Sequence, residues 1–429
     1  MNVNSPSNSP PHIPAYFFPE APHQENIPAP ASSGSSMHQP AMHGARAARA
    51  LRAAVSVQPT LCEAIAAKNF PVIQTLLPHS DPNGTSAEGY SALMLATSQS
   101  DHEVMQLLLD HPDIQCNATH PSGLTALHLA VTDGDLSTLN MLIQRASGIN
   151  LNAKLTDTNA TPLHFAALHG MNDKLSLLGR TPGVDLHART SDGSVALHLA
   201  AARGYPETVL RLLGMPGSDV NVTDHSHWTA LMRALKHNEL DVVRLLVGIQ
   251  GVNVNMRDVS NRSTLSIAAA TDNIALVAEL LLHPDINVNA PVDVQGATTL
   301  HMAARASNAP MALVLLGTPG INVNAESLTQ STPLHCVAQT GNARLLWLLL
   351  NSRQIDVNKR DYTGATPLHF AASHGNHDAV HILLATPGIA SDVRMNNGRT
   401  PLQLAEAWGH TEVAETLKAH EQQNTENRR

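Results

Sequence analysis

The 429-residue chain is 43% hydrophobic but only 3% aromatic, so its core has to be assembled from Leu, Ala, Val and Ile. A formal net charge of −9, with no basic stripe interleaved with aromatics, argues against a nucleic-acid phosphate track. Three cysteines, Cys62, Cys116 and Cys336, have no paired spacing and fit neither a disulfide framework nor a zinc knuckle, so reduced thiols are expected.

Residues 1–44 are rich in Ser, Pro, Asn and His, as in Asn4-Ser5-Pro6-Ser7-Asn8-Ser9-Pro10-Pro11. Such a stretch cannot bury enough apolar surface to offset its ordering entropy and is expected to be disordered. Its one apolar cluster, Tyr16-Phe17-Phe18, reads as a docking patch. No charged start followed by a continuous apolar stretch marks a cleaved signal, and no apolar run is long enough to span a bilayer. Residues 45–56 are Ala-rich with three arginines and are expected to form a short solvated basic helix leading into the body of the protein.

From residue 57 to 420 the sequence repeats. Leu93, Leu127, Leu163, Leu197, Leu231, Leu265, Leu300, Leu334, Leu368 and Leu402 follow one another at intervals of 34, 36, 34, 34, 34, 35, 34, 34 and 34 residues. A period this regular marks stacked units sharing one lengthwise core. Thr366-Pro367-Leu368-His369-Phe370-Ala371 is identical to Thr161-Pro162-Leu163-His164-Phe165-Ala166, and looser copies fill the gaps. The Thr suits a helix N-cap and the Pro the first helical position. Leu368, Ala371 and Ala372 form a narrow face that allows close helix approach, and Gly375 ends this first helix. A second follows with Val380, Ile382, Leu383 and Leu384 at helical spacing, stopped by Pro387 and Gly388.

The units are joined by linkers such as Asp285-Ile286-Asn287-Val288-Asn289-Ala290, expected to form short hairpins. The recurring Asn (117, 152, 221, 255, 289, 324, 358) is explained here by its tolerance of left-handed backbone and its local hydrogen bonding. His187 and Asp392 depart from it. Pro59 to Leu77 reads as a degenerate first unit, and residues 421–429 as a frayed tail.

This helix–loop–helix–turn cassette resembles the ankyrin repeat from roughly Thr60 to His420. The resemblance implies an all-α solenoid of about ten repeats with short β-hairpin or loop linkers, plus a degenerate N-terminal capping unit. It also implies a non-enzymatic protein-binding role, with hairpin tips and first helices forming a concave palm.

The residues offer little chemistry. Six of the 25 histidines (His128, His164, His198, His301, His335, His369) follow the framework leucine, where each is expected to hydrogen-bond the Thr and nearby backbone. His377 and His381, one turn apart and near His374, are the best metal constellation, but no carboxylate or thiol completes it. His111-Pro112-Asp113 and His283-Pro284-Asp285 read as helix terminators. No nucleophile elbow, phosphate loop or dinucleotide fingerprint is present. Cys336 is expected to be packed and inert. No catalytic residue, cofactor or metal is assigned, and the chain is expected to act as a monomer on a protein partner.

The binding surface is sought at the position three before each framework leucine. Most residues there are small, but Trp228 and Arg262 stand on consecutive units, and Trp and Arg dominate interface energetics. His225 and His227 flank Trp228, and Arg233 departs from the framework in the same unit. Tyr90 and Arg399 complete the candidate set. Trp347, in a second helix, is expected to pack against the next unit.

The N-terminal composition also resembles that of bacterial type III secreted effectors, and the Pro-Gly-Ile-Asn-Val-Asn linker resembles that of bacterial ankyrin effectors. That implies delivery into a host cytoplasm to bind a host protein. Lysine is scarce, six against twenty arginines, which fits few ubiquitin sites in a host but equally a nucleotide-composition bias. An endogenous cytosolic scaffold is the alternative. A link to host ubiquitin ligases is a second one, with no convincing motif between Val55 and Leu77.

Overall fold

The computed structural model describes residues 59–146 and 148–427. The expected tail at 1–44 and basic helix at 45–56 lie outside the described residues. Among the described residues there are twenty-two α-helices and no strand. Bridge pairing is limited to three isolated contacts, Thr85 with Ser91, Arg257 with Ser263 and Pro291 with Thr298. The linkers are therefore turns and not regular hairpins.

The chain divides into two compact units at Ser191/Asp192. The first contains four helix pairs: Leu61–Ala66 with Phe70–Leu76, Ala92–Ser98 with His102–Leu109, Ala126–Thr132 with Leu136–Arg145, and Pro162–Leu168 with Asn172–Arg180. The second contains seven. They begin with Ala196–Ala202 and Pro206–Leu213, then Ala230–Lys236 and Leu240–Val247, and Thr264–Ala270 and Ile274–Leu281. Thr299–Arg305 with Ala309–Leu316, Pro333–Thr340 with Ala343–Leu350, and Pro367–Ser373 with His377–Leu384 continue the series. Pro401–Trp408 and Thr411–Asn427 end it, the last helix running past the boundary at residue 420 drawn from the sequence. Within each unit, first helices stack on first helices and second helices on second helices.

The framework leucines of the inner repeats, from Leu93 to Leu368, are buried in the stack of first helices of their own unit, and Ala96, Ala130, Ala166, Ala200 and Ala371 beside them are fully buried. Small side chains there let the helices approach closely. Five motif histidines, His128, His198, His301, His335 and His369, are seen to work at both ends of the ring. In the His369 repeat, the Thr366 amide donates to Nδ1 at 3.1 Å and the Thr366 hydroxyl donates to it at 2.9 Å. His128, His301 and His335 repeat this geometry. With Nδ1 accepting, the proton sits on Nε2, which donates to a carbonyl of the next repeat. Those carbonyls are Ala160 for His128, Ser331 for His301, Ala365 for His335 and Arg399 for His369. The ring is a capping device and an inter-repeat tie at once.

The linker asparagines do something the sequence reading did not anticipate. None has a positive φ, so left-handed backbone is not their purpose. Each reaches into the following repeat with both ends of its amide. Asn289 Nδ2 donates to the Gly320 carbonyl at 2.8 Å, and its Oδ1 accepts the Asn322 amide at 2.8 Å. Asn117, Asn152, Asn221, Asn255, Asn324 and Asn358 make the same two bonds. Asn83 is an eighth clamp, pairing with Asp113 and Gln115.

Two further expectations resolve differently. Cys336 is buried, and burial pushes its thiol pKa up, as expected of an inert packed cysteine. Trp347 is not packed away against the next repeat: it stays 62% exposed, lining a shallow cavity with His381, Ile382 and Ala385 of that repeat. Its helix buries Leu345, Leu346 and Leu349, which turns position 347 outward.

Candidate functional site

The tips are built on an acidic hinge residue. Asp224 Oδ1 accepts the amides of Ser226 (2.8 Å) and Trp228 (2.9 Å), closing the turn from inside. Asp258 does the same for Ser260 and Arg262, and Asp361 for Thr363 and Ala365. His227 takes the left-handed conformation at this turn, with φ +59. At most tips the side chain three before the framework leucine is turned back toward the stack, whereas Arg262 and Arg399 reach solvent. Tyr90, Leu124, Ala160, Ala297 and Ala365 are buried there, and Trp228 is only 9% exposed.

Trp228 is covered by cations. The Arg233 guanidinium lies 5.8 Å from the indole centroid, the Lys236 ammonium 5.3 Å and the Arg262 guanidinium 5.5 Å. Such contacts are favourable because the ring face carries negative quadrupolar charge. Two buried carboxylates hold the guanidinium groups from behind. Arg233 pairs with Asp224 and, at 3.0 Å, with Asp192, and it donates to Ser194 Oγ at 3.3 Å. Arg262 pairs with Asp258 at 2.7 Å while half of its side chain stays exposed. Lys236 makes no ion pair with a described residue and is exposed. His237 next to it has its pKa lowered, first by burial and then by Lys236, Arg233 and Arg203, which shows the sign of the local field.

Beside this cluster lies a cavity of about 390 Å³. Its rim carries Lys236 and Arg262, and its walls are Ile267, Ala270, Val292 and Met302. Ser266 stands where most repeats place the framework histidine, leaving room beneath the rim.

The structure therefore brings Trp228, Arg233 and Arg262 together, with His225 and His227 exposed on the same tip. It does not bring Tyr90 or Arg399 to them. Tyr90 belongs to the first unit, where it stacks on His120 at 4.7 Å. Arg399 is exposed on the last tip of the second unit, its carbonyl taken by His369.

Sequence reading missed two features. Lys236 belongs to the Trp228 cluster and was not singled out. The outward position of the tip is six before the framework leucine, where Val259, Val294, Leu328 and Tyr362 form an exposed apolar column on four consecutive repeats. The column leads to a groove of about 690 Å³ whose lining includes Arg305, Gln339, Tyr362, Phe370, His374 and Trp408. Tyr362 is 63% and Trp408 67% exposed. An aliphatic or aromatic residue at this fixed offset is a signal the sequence contains.

His377 and His381 stack edge to face at 5.9 Å, and among the described residues no group of three or more His, Cys, Asp or Glu side chains is placed to hold a metal ion. No helix among them is long and apolar enough to cross a membrane.

Comparison with known proteins adds the family. A family model described as "Ankyrin repeats (3 copies)" matches in nine overlapping placements from residue 61 to residue 428. The nuclear factor NF-kappa-B p105 subunit of Gallus gallus is 30% identical over 134 residues, which is 30% of this chain and 13% of that protein. Palmitoyltransferase AKR1 of Lachancea kluyveri is 35% identical over 130 residues, 28% of this chain and 17% of the relative. Protein phosphatase 1 regulatory subunit 27 of Mus musculus is 32% identical over 97 residues, 23% of this chain and 60% of the relative. In each case the chain spans less than two thirds of the relative's own length.

Proposed function

The chain belongs to the ankyrin-repeat family, and on that footing we propose that it is a non-enzymatic adaptor holding a protein partner against the tips and first helices of its second unit. Repeats of this family are in general binding modules. The observation that carries the reading is the Trp228 cluster, where a buried indole fixes three cations at the mouth of a cavity. Preformed and rigid, such a cluster loses little entropy when a partner arrives. The bonds of Trp228, Arg233 and Arg262 to Asp224 and Asp258 supply that rigidity. His225, His227 and the outward column ending at Tyr362 extend the same surface, with Arg399 a secondary place on the second unit; Tyr90, buried in the first unit, is left out of it.

Affinity capture with the full chain tests this. A partner recovered by wild type and lost on Lys236→Ala with Arg262→Ala, while the variant still unfolds cooperatively at an unchanged midpoint, supports the reading. Equal recovery by both proteins sinks it.

The finer reading is that of an effector delivered into host cells through a type III apparatus. It is supported by the composition of residues 1–44 and the scarcity of lysine. Export of a reporter fused to residues 1–60 tests it, and absence of type III-dependent export leaves the endogenous scaffold as the reading to keep.

A further inference from the structure

Resting on that reading, we infer that the partner segment held at the Trp228 cluster is acidic and carries a single aliphatic side chain that enters the adjoining cavity. Trp228 is nine-tenths buried, and a partner reaches it only where it lines the cavity. Its ring is the platform on which Lys236, Arg233 and Arg262 are set, and these are the groups a partner meets.

The charges are arranged for an anion outside the surface and not within it. Asp224 and Asp258 are buried, and their first oxygens are saturated by tip amides. Their second oxygens face the guanidinium groups from the inner side. Arg262 keeps half of its surface toward solvent, and Lys236 has no carboxylate partner among the described residues. Asp192, itself more than half exposed, takes one side of Arg233, so the charge left for an incoming acidic segment is that of Lys236 and the open face of Arg262, set on a chain that carries −9 overall.

The cavity supplies the second element of recognition. Ile267, Ala270, Val292 and Met302 give it apolar walls, and Lys236 and Arg262 stand at its rim. A leucine or methionine flanked by carboxylates satisfies both at once, the side chain inside and the acids at the rim. A nucleic acid fits less well: the indole face that a base would need is occupied by the cations.

The probe is a fluorescein-labelled peptide of alternating Asp and Glu with one central leucine, titrated by anisotropy against the full chain. The proposal expects saturable binding, weakened about tenfold when the leucine becomes alanine. It expects a further loss of about tenfold between about 50 and about 300 mM salt. Lys236→Glu with Arg262→Glu should abolish binding, while Arg344→Glu, on a second helix, should leave it unchanged. A peptide with Lys in place of the acids should not bind. The proposal is overturned if the acidic peptide does not saturate, if the basic peptide or the charge-reversed protein binds equally, or if a single-stranded oligonucleotide binds more tightly. A captured partner that is lost on Lys236→Ala with Arg262→Ala but is insensitive to salt and is not displaced by the acidic peptide would leave the adaptor reading standing and remove only this inference.

Discussion

His198 Nε2 lies 3.0 Å from the carbonyl oxygen of Trp228, so the framework histidine of one repeat holds the tip of the next by its backbone. Its Nδ1 accepts the Val195 amide, which fixes the ring as the neutral Nε2–H tautomer. A second proton on Nδ1 would face an N–H, and the ring is buried. Both features oppose charging, and His198 is pulled down to about 4, with burial the largest cause and Asp224 partly offsetting it.

The first prediction follows from the sign of that shift. His128 and His369 are likewise lowered to about 4 by burial, and His301 and His335 are lowered. Because the unfolded chain takes these protons near pH 6.5 and the folded chain does not, this contribution is complete above that pH and is lost as pH falls from about 6.5 toward about 4. His128 alone accounts for on the order of 2 kcal/mol by pH 5. Melting followed by circular dichroism should show a flat midpoint from pH 7 to 8 and a steep decline between pH 6.5 and 5. A midpoint that does not move over that lower range contradicts the assigned tautomer.

The asparagine clamp separates two explanations of one conserved-looking letter. If the Asn289 amide ties its repeat to Gly320 and Asn322, then Asn289→Gly and Asn289→Asp should each cost about 1–2 kcal/mol in urea unfolding. Aspartate removes the donor and sets a charge against the Gly320 carbonyl. A residue kept for left-handed backbone would instead tolerate glycine, so a neutral Asn289→Gly would refute the clamp.

Asp224→Asn keeps the acceptor for the Ser226 and Trp228 amides and removes the charge facing Arg233. Because Arg233 retains Asp192 and is partly exposed, the expected loss is about 1–3 kcal/mol, not that of a sealed pair. Tryptophan emission should shift to the red as the guanidinium leaves the indole. Unchanged emission and stability would show that the ion pair does not order this tip.

Trp347→Ala should cost less than about 1 kcal/mol, because most of that indole already faces solvent. Trp228→Ala, by contrast, removes a ring that is nine-tenths buried and should cost about 3 kcal/mol or more. Chemical unfolding of the two variants side by side checks the contrast; equal losses would contradict the assigned exposures.

The repeat framework could be read because it is local and periodic. Leucines at a near-constant interval, a capping Thr and the residues that end each helix lie within one cassette. What could not be read is what crosses between cassettes. The carbonyl that His335 meets is thirty residues away, and the two groups that Asn255 clamps are thirty and thirty-two away. Asn83 escaped notice because its linker, Asp81-Pro82-Asn83-Gly84, lacks the Asn-Val-Asn spelling. The burial of Trp228 depends on Arg233 in its own repeat and Arg262 in the next, and neither is marked by a motif. The outward column from Val259 to Tyr362 was legible, at a fixed offset of six from the framework leucine, once the turn geometry was known.

Hydrogen exchange of the full chain, alone and with a captured partner, tests the central claim most directly. Slowed exchange confined to the tips and first helices between Asp224 and Ala270, with the partner recovered chemically unaltered, is the predicted result. Protection on the second helices instead, or a partner returned covalently modified, would contradict a surface that grips without making bonds.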